Sequence, residues 1–303
     1  MEAILIAISA YFFFAVTNLI DKYIVTQATS PKFYAFIVGA FSGLVLFLVP
    51  FGFLEFNGVA ITSLALISGI ARTFALFFLY LALQQFDASK IVPAVGGALP
   101  VFTFIFTSLF FGSVELNFYH IAALFLLIGG TILITLEKEK ELIIKSLFLS
   151  VVAAFLLAFS FFGAKLVFRV YQESFLSGFV LVYSGSFIGG LMFLFTKEAR
   201  KELFSSAGEK MTLKKKAIIA GNQVLGGAGA VLQNYAIYLA PLAFLPLINA
   251  LEGFKYLFLL ALAALLSFKY PSILKERFNK RVALQKISAV VLLIGGLFLL
   301  FLN

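Results

Sequence analysis

The sequence predicts an all-α membrane protein whose ten transmembrane helices form two inverted repeats of five helices each. Three observations support this fold class: the composition, the number of long apolar segments and an internal repeat. Hydrophobic residues make up 62% of the 303 residues and charged residues only 12%, and the mean hydropathy is +1.09. Soluble domains carry about 25% charged residues. We therefore expect the chain to lie in a lipid bilayer.

Ten apolar segments are long enough to cross that bilayer. A transmembrane helix needs about 20 mostly apolar residues, because the hydrocarbon core is roughly 30 Å thick and each residue advances about 1.5 Å. The predicted helices cover approximately residues 3–20, 33–54, 61–83, 91–111, 118–136, 146–168, 175–195, 216–239, 242–267 and 286–302.

The second half of the chain repeats the first, segment by segment. Lys22 at the end of the first helix corresponds to Lys165 in the sixth. The other matched residues are Gly39 and Gly43 with Gly185 and Gly189, Pro93 with Pro246, and Gly129-Gly130 with Gly295-Gly296. Because each half holds an odd number of helices, the second half must insert upside down. The predicted domains are residues 1–137 and 142–303.

Small residues spaced four apart allow two helices to approach closely in lipid. This spacing predicts helix packing for the glycine pairs of the second and seventh helices. We predict the same role for the cluster of Gly221, Gly226, Gly227 and Gly229 in the eighth helix. A phosphate-binding loop would instead need a strand before the glycines and a helix after them.

The net charge of +9 is interpreted from where the basic residues lie. Nineteen of the 23 lysines and arginines fall in loops on one side of the predicted topology, with dense groups at 197–216 and 269–286. The positive-inside rule places those loops in the cytoplasm and both termini outside. We therefore expect contacts with anionic lipid rather than nucleic acid, in the plasma membrane of a bacterium or archaeon.

An enzyme is not expected. The sequence has no cysteine and a single histidine, His120, so thiolate metal sites are excluded and a metal set built on histidine is disfavoured. An intramembrane enzyme would need a nucleophile with its base, or a metal. We expect no cofactor.

Three ionisable residues lie deep in predicted helices: Arg72 in the third, and Glu252 and Lys255 in the ninth. Ionisable groups inside a membrane are costly unless they are paired or face water. One interpretation is a buried ion pair that fixes helix register. The other is a polar cavity, with Asn249 one turn away, whose surplus positive charge attracts an anionic group.

Asn18, Asn222 and Gln223 are further polar residues inside predicted helices. Each suits either a hydrogen bond between helices, worth roughly 0.6–2 kcal/mol, or contact with a ligand. Three prolines, Pro93, Pro100 and Pro246, are predicted to break the fourth and ninth helices. Helices interrupted at matching positions of two halves indicate a binding site at the middle of the membrane.

Several of these stretches resemble the EamA domain of the drug/metabolite transporter superfamily. They are LALQQFDASKIVP at 81–93, followed by Pro100, then FGSVE at 111–115, and YAIYLAPLAFLP at 235–246. The resemblance covers both halves of the chain. It implies a ten-helix carrier with a central cavity lined mainly by helices 1, 3, 4, 6, 8 and 9.

From this resemblance we expect a secondary transporter that moves a small anionic or zwitterionic metabolite, amino acid-like, by alternating access. The predicted substrate-binding residues are Asn18, Arg72, Asn222, Gln223, Asn249, Glu252 and Lys255. Small multidrug carriers of the superfamily use a glutamate midway along helix 1. This helix has no acid before Asp21, so export of cationic drugs by proton coupling is not expected.

Other functions remain open. Within transporters, the alternative is an exchanger of nucleotide sugars or phosphorylated metabolites. A membrane scaffold or sensor that transports nothing is a second alternative, although it would not require two matched inverted halves. The expected partners are a small-molecule substrate and membrane lipid, and we expect a monomer.

Overall fold

The computed structural model describes residues 2–111, 118–136, 140–204, 212–269 and 280–300. Every regular element within these ranges is helical. The helices are α1 (Glu2–Gln27), α2 (Pro31–Ser42), α3 (Val59–Gln85), α4 (Ala88–Phe111), α5 (Phe118–Thr135), α6 (Lys140–Val170), α7 (Phe175–Met192), α8 (Lys197–Phe204), α9 (Leu213–Leu239), α10 (Leu245–Ala250), α11 (Gly253–Lys269) and α12 (Lys280–Leu300). Short 3₁₀ segments follow α2 and α7 and precede α10. Most of the FGSVE stretch, at 112–115, lies outside the described residues.

Six helical segments in the described part of the chain are long and apolar enough to cross a membrane. They are Glu2–Gln27, Pro31–Phe51, Val59–Gln85, Ala88–Phe110, Leu142–Val170 and Phe175–Phe195. Two shorter apolar helical stretches, Ile121–Ile134 and Leu284–Gly296, accompany them. The chain is therefore an all-α, multi-pass membrane protein, which confirms the coarse prediction from composition.

Two predicted helix limits are wrong. The first helix does not end near residue 20: α1 continues to Gln27, so Asp21 lies within it. The fourth helix is not broken: α4 runs on through Pro93 and Pro100. A proline removes one backbone hydrogen bond and crowds the preceding turn. Because α4 is the most buried of the six long segments, its packing against α5 and α6 outweighs that cost.

The predicted interruption of the ninth helix is confirmed, but proline does not cause it. The chain runs through α10, leaves the helix at Leu251 and Glu252, and resumes as α11 at Gly253. Pro246 is the second residue of α10, where a proline is tolerated because the N–H it lacks would have had no helical partner.

Glycines bring α2, α3 and α7 into close contact, as their spacing predicts. A Cβ atom on Gly39 would lie 2.4 Å from the Cα of Gly190, and a Cβ on Gly43 would lie 2.7 Å from the Phe187 ring. A Cβ on Gly185 would lie 2.2 Å from the carbonyl oxygen of Leu66. At Gly39 and Gly185, where the neighbour is backbone, only glycine allows the two helices to pack as they do.

The contact between α3 and α7 is further fixed by two hydrogen bonds. The Thr73 hydroxyl donates to the Ser186 carbonyl oxygen at 2.9 Å, and the Ser186 hydroxyl donates to the Gly69 carbonyl oxygen at 3.0 Å. A Cβ on Gly69 would lie 1.9 Å from the Val182 carbonyl oxygen. We call this contact the α3–α7 interface; it is closed where Gly69 and Gly185 meet the opposite backbone.

The matched lysines of the two halves each bind the end of a helix. The Lys22 ammonium donates to the carbonyl oxygens of Leu83 and Phe86 at 2.5 and 2.8 Å, near the end of α3. The Lys165 ammonium donates to the Ile237 and Tyr238 carbonyl oxygens at 2.8 and 3.0 Å, near the end of α9. A helix C-terminus presents unpaired carbonyl groups and a partial negative charge, so it favours a cation.

Candidate functional site

A cavity of about 310 Å³ lies among α1, α2, α3, α7 and α9. Four of the predicted binding residues line it: Asn18 on α1, Arg72 on α3, and Asn222 and Gln223 on α9. Small-molecule sites usually measure roughly 300–1,000 Å³, so this cavity suits a small ligand. The site therefore assembles from helices of both halves of the chain.

Asp21 contributes a carboxyl group to the cavity wall. Its Oδ1 accepts a hydrogen bond from the Tyr34 hydroxyl at 2.6 Å and another from Asn222 Nδ2 at 2.7 Å. Asn222 Nδ2 also donates to the Tyr34 hydroxyl oxygen at 2.8 Å. The three side chains come from α1, α2 and α9 and are all buried. We call them the Asp21 triad.

Two more residues hold the triad in position. Gln223 Nε2 donates to the Tyr34 hydroxyl oxygen at 3.1 Å. The Tyr34 ring packs against the Tyr80 ring, with centroids 4.6 Å apart. Both N–H groups of the Asn222 amide are used within the triad, whereas its Oδ1 has no hydrogen-bond partner among the described residues. The Asn222 amide oxygen is therefore an acceptor that a ligand can use.

Arg72 approaches the cavity from α3. Its guanidinium carbon lies 4.7 Å from the centroid of the Tyr183 ring, a cation–π distance. The Tyr183 hydroxyl accepts a hydrogen bond from Asn234 Nδ2 at 3.2 Å, and its ring stacks on Phe179 with centroids 4.1 Å apart. Arg72 is therefore held by an aromatic face rather than by a carboxylate.

One guanidinium nitrogen of Arg72 makes no hydrogen bond with the described residues. This atom, Nη1, is buried. An unsatisfied buried donor costs about 1–3 kcal/mol, and more when it is charged. A bound anionic group, such as a carboxylate, would satisfy it with a charge-assisted hydrogen bond.

The cavity thus contains one cation and one anion that do not neutralise each other by contact. Within the described residues, neither Arg72 nor Asp21 takes part in an ion pair. Charges inside a membrane are costly unless they are paired or face a polar space. A ligand that carries both an anionic and a cationic group would compensate both charges at once.

The glycines of α9 do not act as predicted. Gly226 and Gly227 line the cavity, and a Cβ on Gly221 or Gly227 would meet nothing within 4 Å. Only Gly229 fits the packing prediction, since its Cβ would lie 3.1 Å from the Phe14 ring. The prediction failed for the other three because Gly221 and Gly227 face open space, and a Cβ on Gly226 would only reach Thr17 at 3.9 Å, an ordinary contact.

The other three predicted binding residues lie elsewhere, at the break between α10 and α11. Glu252 and Lys255 form a buried ion pair with each other, and Arg72 takes no part in it. Asn249 Nδ2 donates to the Thr103 hydroxyl at 3.1 Å, which ties α10 to α4. None of the three lines the cavity. Of the two interpretations of the deep charges, the buried ion pair describes Glu252 and Lys255. The interpretation as a charge that faces a polar cavity describes Arg72.

Sequence reasoning missed three residues that line the cavity, Asp21, Tyr80 and Tyr183. It also missed Tyr34, whose hydroxyl donates to Asp21 behind the wall. Asp21 was overlooked because the first helix was predicted to end before it. A usable signal was its position three residues after Asn18, which places both side chains on one face of a helix that continues. The tyrosines carried no such signal, since the sequence holds 11 of them among 40 phenylalanines.

Within the described residues, no group of three or more histidine, cysteine, aspartate or glutamate side chains could hold a metal ion.

Comparison with known proteins bears on the fold alone. The sequence matches no protein-family model and no curated protein. Among the solved structures to which it is similar is a crystal structure of a protein, with 14% sequence identity and a TM-score of 0.61. The match covers 99% of this chain and 96% of the other. The whole chain therefore adopts an architecture that is found in a solved structure.

Proposed function

We propose that this protein is a secondary transporter that binds a small zwitterionic metabolite in the cavity and moves it across the membrane by alternating access. One observation carries the proposal: Arg72 and Asp21 line the same cavity inside the membrane, and neither takes part in an ion pair among the described residues. A scaffold that binds no ligand gives no reason to maintain two uncompensated charges around an open space.

The two charges favour an amino acid-like substrate over the alternatives. Arg72 would bind the carboxylate, and Asp21 would bind the ammonium group, with Asn18 and Asn222 supplying hydrogen bonds. A phosphorylated metabolite or a nucleotide sugar carries one or two negative charges, which Asp21 would repel. The volume of about 310 Å³ also suits a small molecule better than a nucleotide sugar.

We further propose that the chain has ten transmembrane helices in two inverted EamA-like repeats, 1–137 and 142–303. In this arrangement α10 and α11 together form the ninth helix, and α8 lies in a loop. Two matched contacts support it. Lys22 and Lys165 bind equivalent helix ends, as described above.

Gly130 on α5 and Gly296 on α12 provide the second matched contact. A Cβ on Gly130 would lie 2.8 Å from the Leu293 side chain, and a Cβ on Gly296 would lie 3.0 Å from the Leu127 side chain. Each glycine therefore receives a leucine from the opposite helix, as two repeats related by a two-fold axis would require.

The orientation follows from the basic residues, so we propose cytoplasmic odd loops and both termini outside, in a bacterial or archaeal plasma membrane. A cysteine introduced at Lys201 in α8 should react with a membrane-impermeant reagent only from the cytoplasmic side. One introduced at Phe56 should react only from outside. The chain contains no natural cysteine to interfere. Reversed labelling of the two positions would invert the topology.

The function is tested with purified protein in liposomes. Uptake is measured for zwitterionic amino acids, phosphorylated sugars and organic cations, with wild type, Arg72→Ala and Arg200→Ala. Arg200 is exposed on α8 and serves as the matched control. We expect uptake of zwitterions, at least tenfold weaker in Arg72→Ala and unchanged in Arg200→Ala. If wild type moves no compound of the panel, the transporter proposal fails; uptake that is equal in both variants removes Arg72 from the site.

A further inference from the structure

The cavity has an opening between α2 and α9. Its deep wall is buried, but several apolar residues at its rim are not. Phe41 is 37% exposed and Leu44 55% exposed on the side of α2, and Val224 is 69% and Val231 43% exposed on α9. All four residues line the cavity. The cavity is therefore reached past an apolar rim, while its charged groups lie at its inner end.

This opening lies at the middle of the membrane. Phe41 and Leu44 are central in the long apolar segment Pro31–Phe51. On the other side, Val224 and Val231 flank the middle of α9, a helix of 27 residues, and each lies at least about 12 Å from either end. An opening at this depth faces the hydrocarbon of the bilayer, because roughly 30 Å of hydrocarbon surrounds the protein there.

The contact that corresponds to it in the proposed repeat, between α3 and α7, is closed. If the halves are matched, the α2–α9 pair corresponds to the α7–α3 pair. The α3–α7 interface is sealed by Gly69 and Gly185, which bring the two backbones together, and by the hydrogen bonds of Thr73 and Ser186. In contrast, α2 and α9 touch only marginally. Gly227 adds to the gap, since nothing lies within 4 Å of where its Cβ would be.

We infer that the substrate is an amphiphile: a zwitterionic head bound by Arg72 and Asp21, carrying an alkyl tail that leaves the cavity between α2 and α9 and lies in the bilayer. This inference rests on the proposed function and names its substrate class. A water-soluble metabolite gains nothing from an apolar opening at the middle of the membrane. An alkyl tail fits it, because the tail stays among apolar groups on both sides of the rim.

For an alkyl tail that leaves through it, the opening also removes the limit that the cavity volume sets; the head must still fit inside. A closed cavity of about 310 Å³ would reject a zwitterion once its side chain filled the space, because overpacking is destabilising. With a lateral opening, only the head and the first few methylene groups need to fit. Affinity should therefore continue to rise with chain length instead of falling.

The test compares two 2-amino acids that differ only in their tail, 2-aminobutanoic acid and 2-aminododecanoic acid. Binding is measured to the full-length protein in lipid nanodiscs, and binding that remains in Arg72→Ala is subtracted as partition into the lipid. The variants are Val224→Trp and Leu44→Trp, one on each side of the opening. Val291→Trp on α12 is the matched control, since Val291 is 62% exposed and lies away from the cavity.

We expect wild type to bind the long-chain zwitterion at least tenfold more tightly than the short one. In Val224→Trp and Leu44→Trp the ratio of the two affinities should fall at least tenfold, while Val291→Trp should keep the wild-type ratio. If the short-chain compound binds as tightly as the long one, or if neither rim variant changes the ratio, the amphiphile inference is overturned and the transporter proposal stands. If neither compound shows binding that depends on Arg72, both proposals fail.

Discussion

Glu55 and Glu202, which the proposed repeat places at matched positions, each accept hydrogen bonds from the other half of the chain. Glu202, at the end of α8, accepts hydrogen bonds from the Thr29 hydroxyl and from the Ser30 backbone N–H, the latter at 3.2 Å. The side chain of Glu55 accepts one from the Ser177 hydroxyl at 3.1 Å. The sequence separation of the two glutamates falls between those of the matched glycines and the matched prolines. In the inverted arrangement, the two contacts lie at opposite faces of the membrane.

We predict that Glu202→Gln and Glu55→Gln loosen opposite faces of the protein. Glutamine keeps the shape of the side chain but loses the charge that strengthens these hydrogen bonds. With a cysteine introduced at Ser42 in the cavity wall, Glu202→Gln should raise the rate of labelling from the cytoplasmic side. Glu55→Gln should raise it from the outer side. Labelling rates are measured with an impermeant maleimide in oriented proteoliposomes.

The control for this experiment is Glu198→Gln. Glu198 forms an exposed ion pair with Lys32 at 2.9 Å, and hydrogen bonding to the Lys32 ammonium lowers the pKa of its carboxyl group. Exposed pairs contribute little, so labelling should stay near the wild-type rate. Equal effects of Glu202→Gln and Glu55→Gln on both sides would contradict the assignment of opposite faces.

Asp21→Asn should remove the preference for a cationic group on the ligand. Asparagine can still accept hydrogen bonds from Tyr34 and Asn222, so the triad keeps its shape while the negative charge is lost. We expect affinity for a zwitterion to fall about tenfold, or roughly 1.4 kcal/mol, and affinity for the matching carboxylic acid without the amino group to change less. Both affinities are measured by calorimetry in nanodiscs.

Asp87→Asn is the matched control for Asp21→Asn. Asp87 lies 3.4 Å from the Lys286 ammonium and outside the cavity, so its loss should leave the ratio of the two affinities unchanged. A selectivity change as large as that in Asp21→Asn would show that the effect does not come from the cavity.

The Glu252–Lys255 pair is expected to stabilise the break between α10 and α11. Removing one partner leaves a buried charge uncompensated, which costs about 3–5 kcal/mol in proteins, whereas replacing both is often neutral. Glu252→Gln alone should therefore lower the unfolding temperature strongly. The double variant Glu252→Gln with Lys255→Met should recover most of it. Thermal unfolding in detergent gives the coupling energy between the two side chains. If the effects of the two substitutions on the unfolding temperature simply add, the pair does not contribute to stability.

Gly185→Ala should destabilise the protein, and Gly221→Ala should not. A Cβ at 185 would lie 2.2 Å from the Leu66 carbonyl oxygen, so one of two backbones must shift, at a cost of about 1–3 kcal/mol. The same atom at 221 meets nothing within 4 Å, so stability there should change by less than about 1 kcal/mol. The free energy of unfolding in mixed micelles checks both. A loss at 221 equal to that at 185 would mean that helix conformation, and not the close contact, sets the cost.

Composition and spacing predicted the class of the fold because they show that the chain lies in lipid rather than in water. Long apolar segments have few stable options in lipid, so the all-α membrane protein follows from physics that each segment carries by itself. Gly39 and Gly185 were likewise identifiable, since close packing in lipid demands small residues. Pro93 and Pro100 were misjudged because their effect depends on how deeply α4 is buried, which no single segment reveals.

The site was predictable only in part, for a related reason. Arg72 and Asn222 stand out in any apolar segment, whatever surrounds them. Whether a polar residue faces a cavity or a partner depends on the rotation of its helix. Lys255 pairs with Glu252 one turn away, whereas Arg72 contacts the Tyr183 ring. Tyr34 became important because α2 places it between two helices that the sequence does not relate.

The Asp21 triad also has a mechanical consequence. Tyr34 belongs to α2 and Asn222 to α9, and these helices otherwise touch only marginally. The hydrogen bonds of Asn222 and Gln223 to the Tyr34 hydroxyl therefore connect the two helices across the gap. Tyr34 and Asn222 also both donate to the Asp21 carboxylate, which lines the cavity. The two helices cannot separate without changing the hydrogen bonds of Asp21. Binding of a cation at the Asp21 carboxylate and the distance between α2 and α9 are therefore coupled.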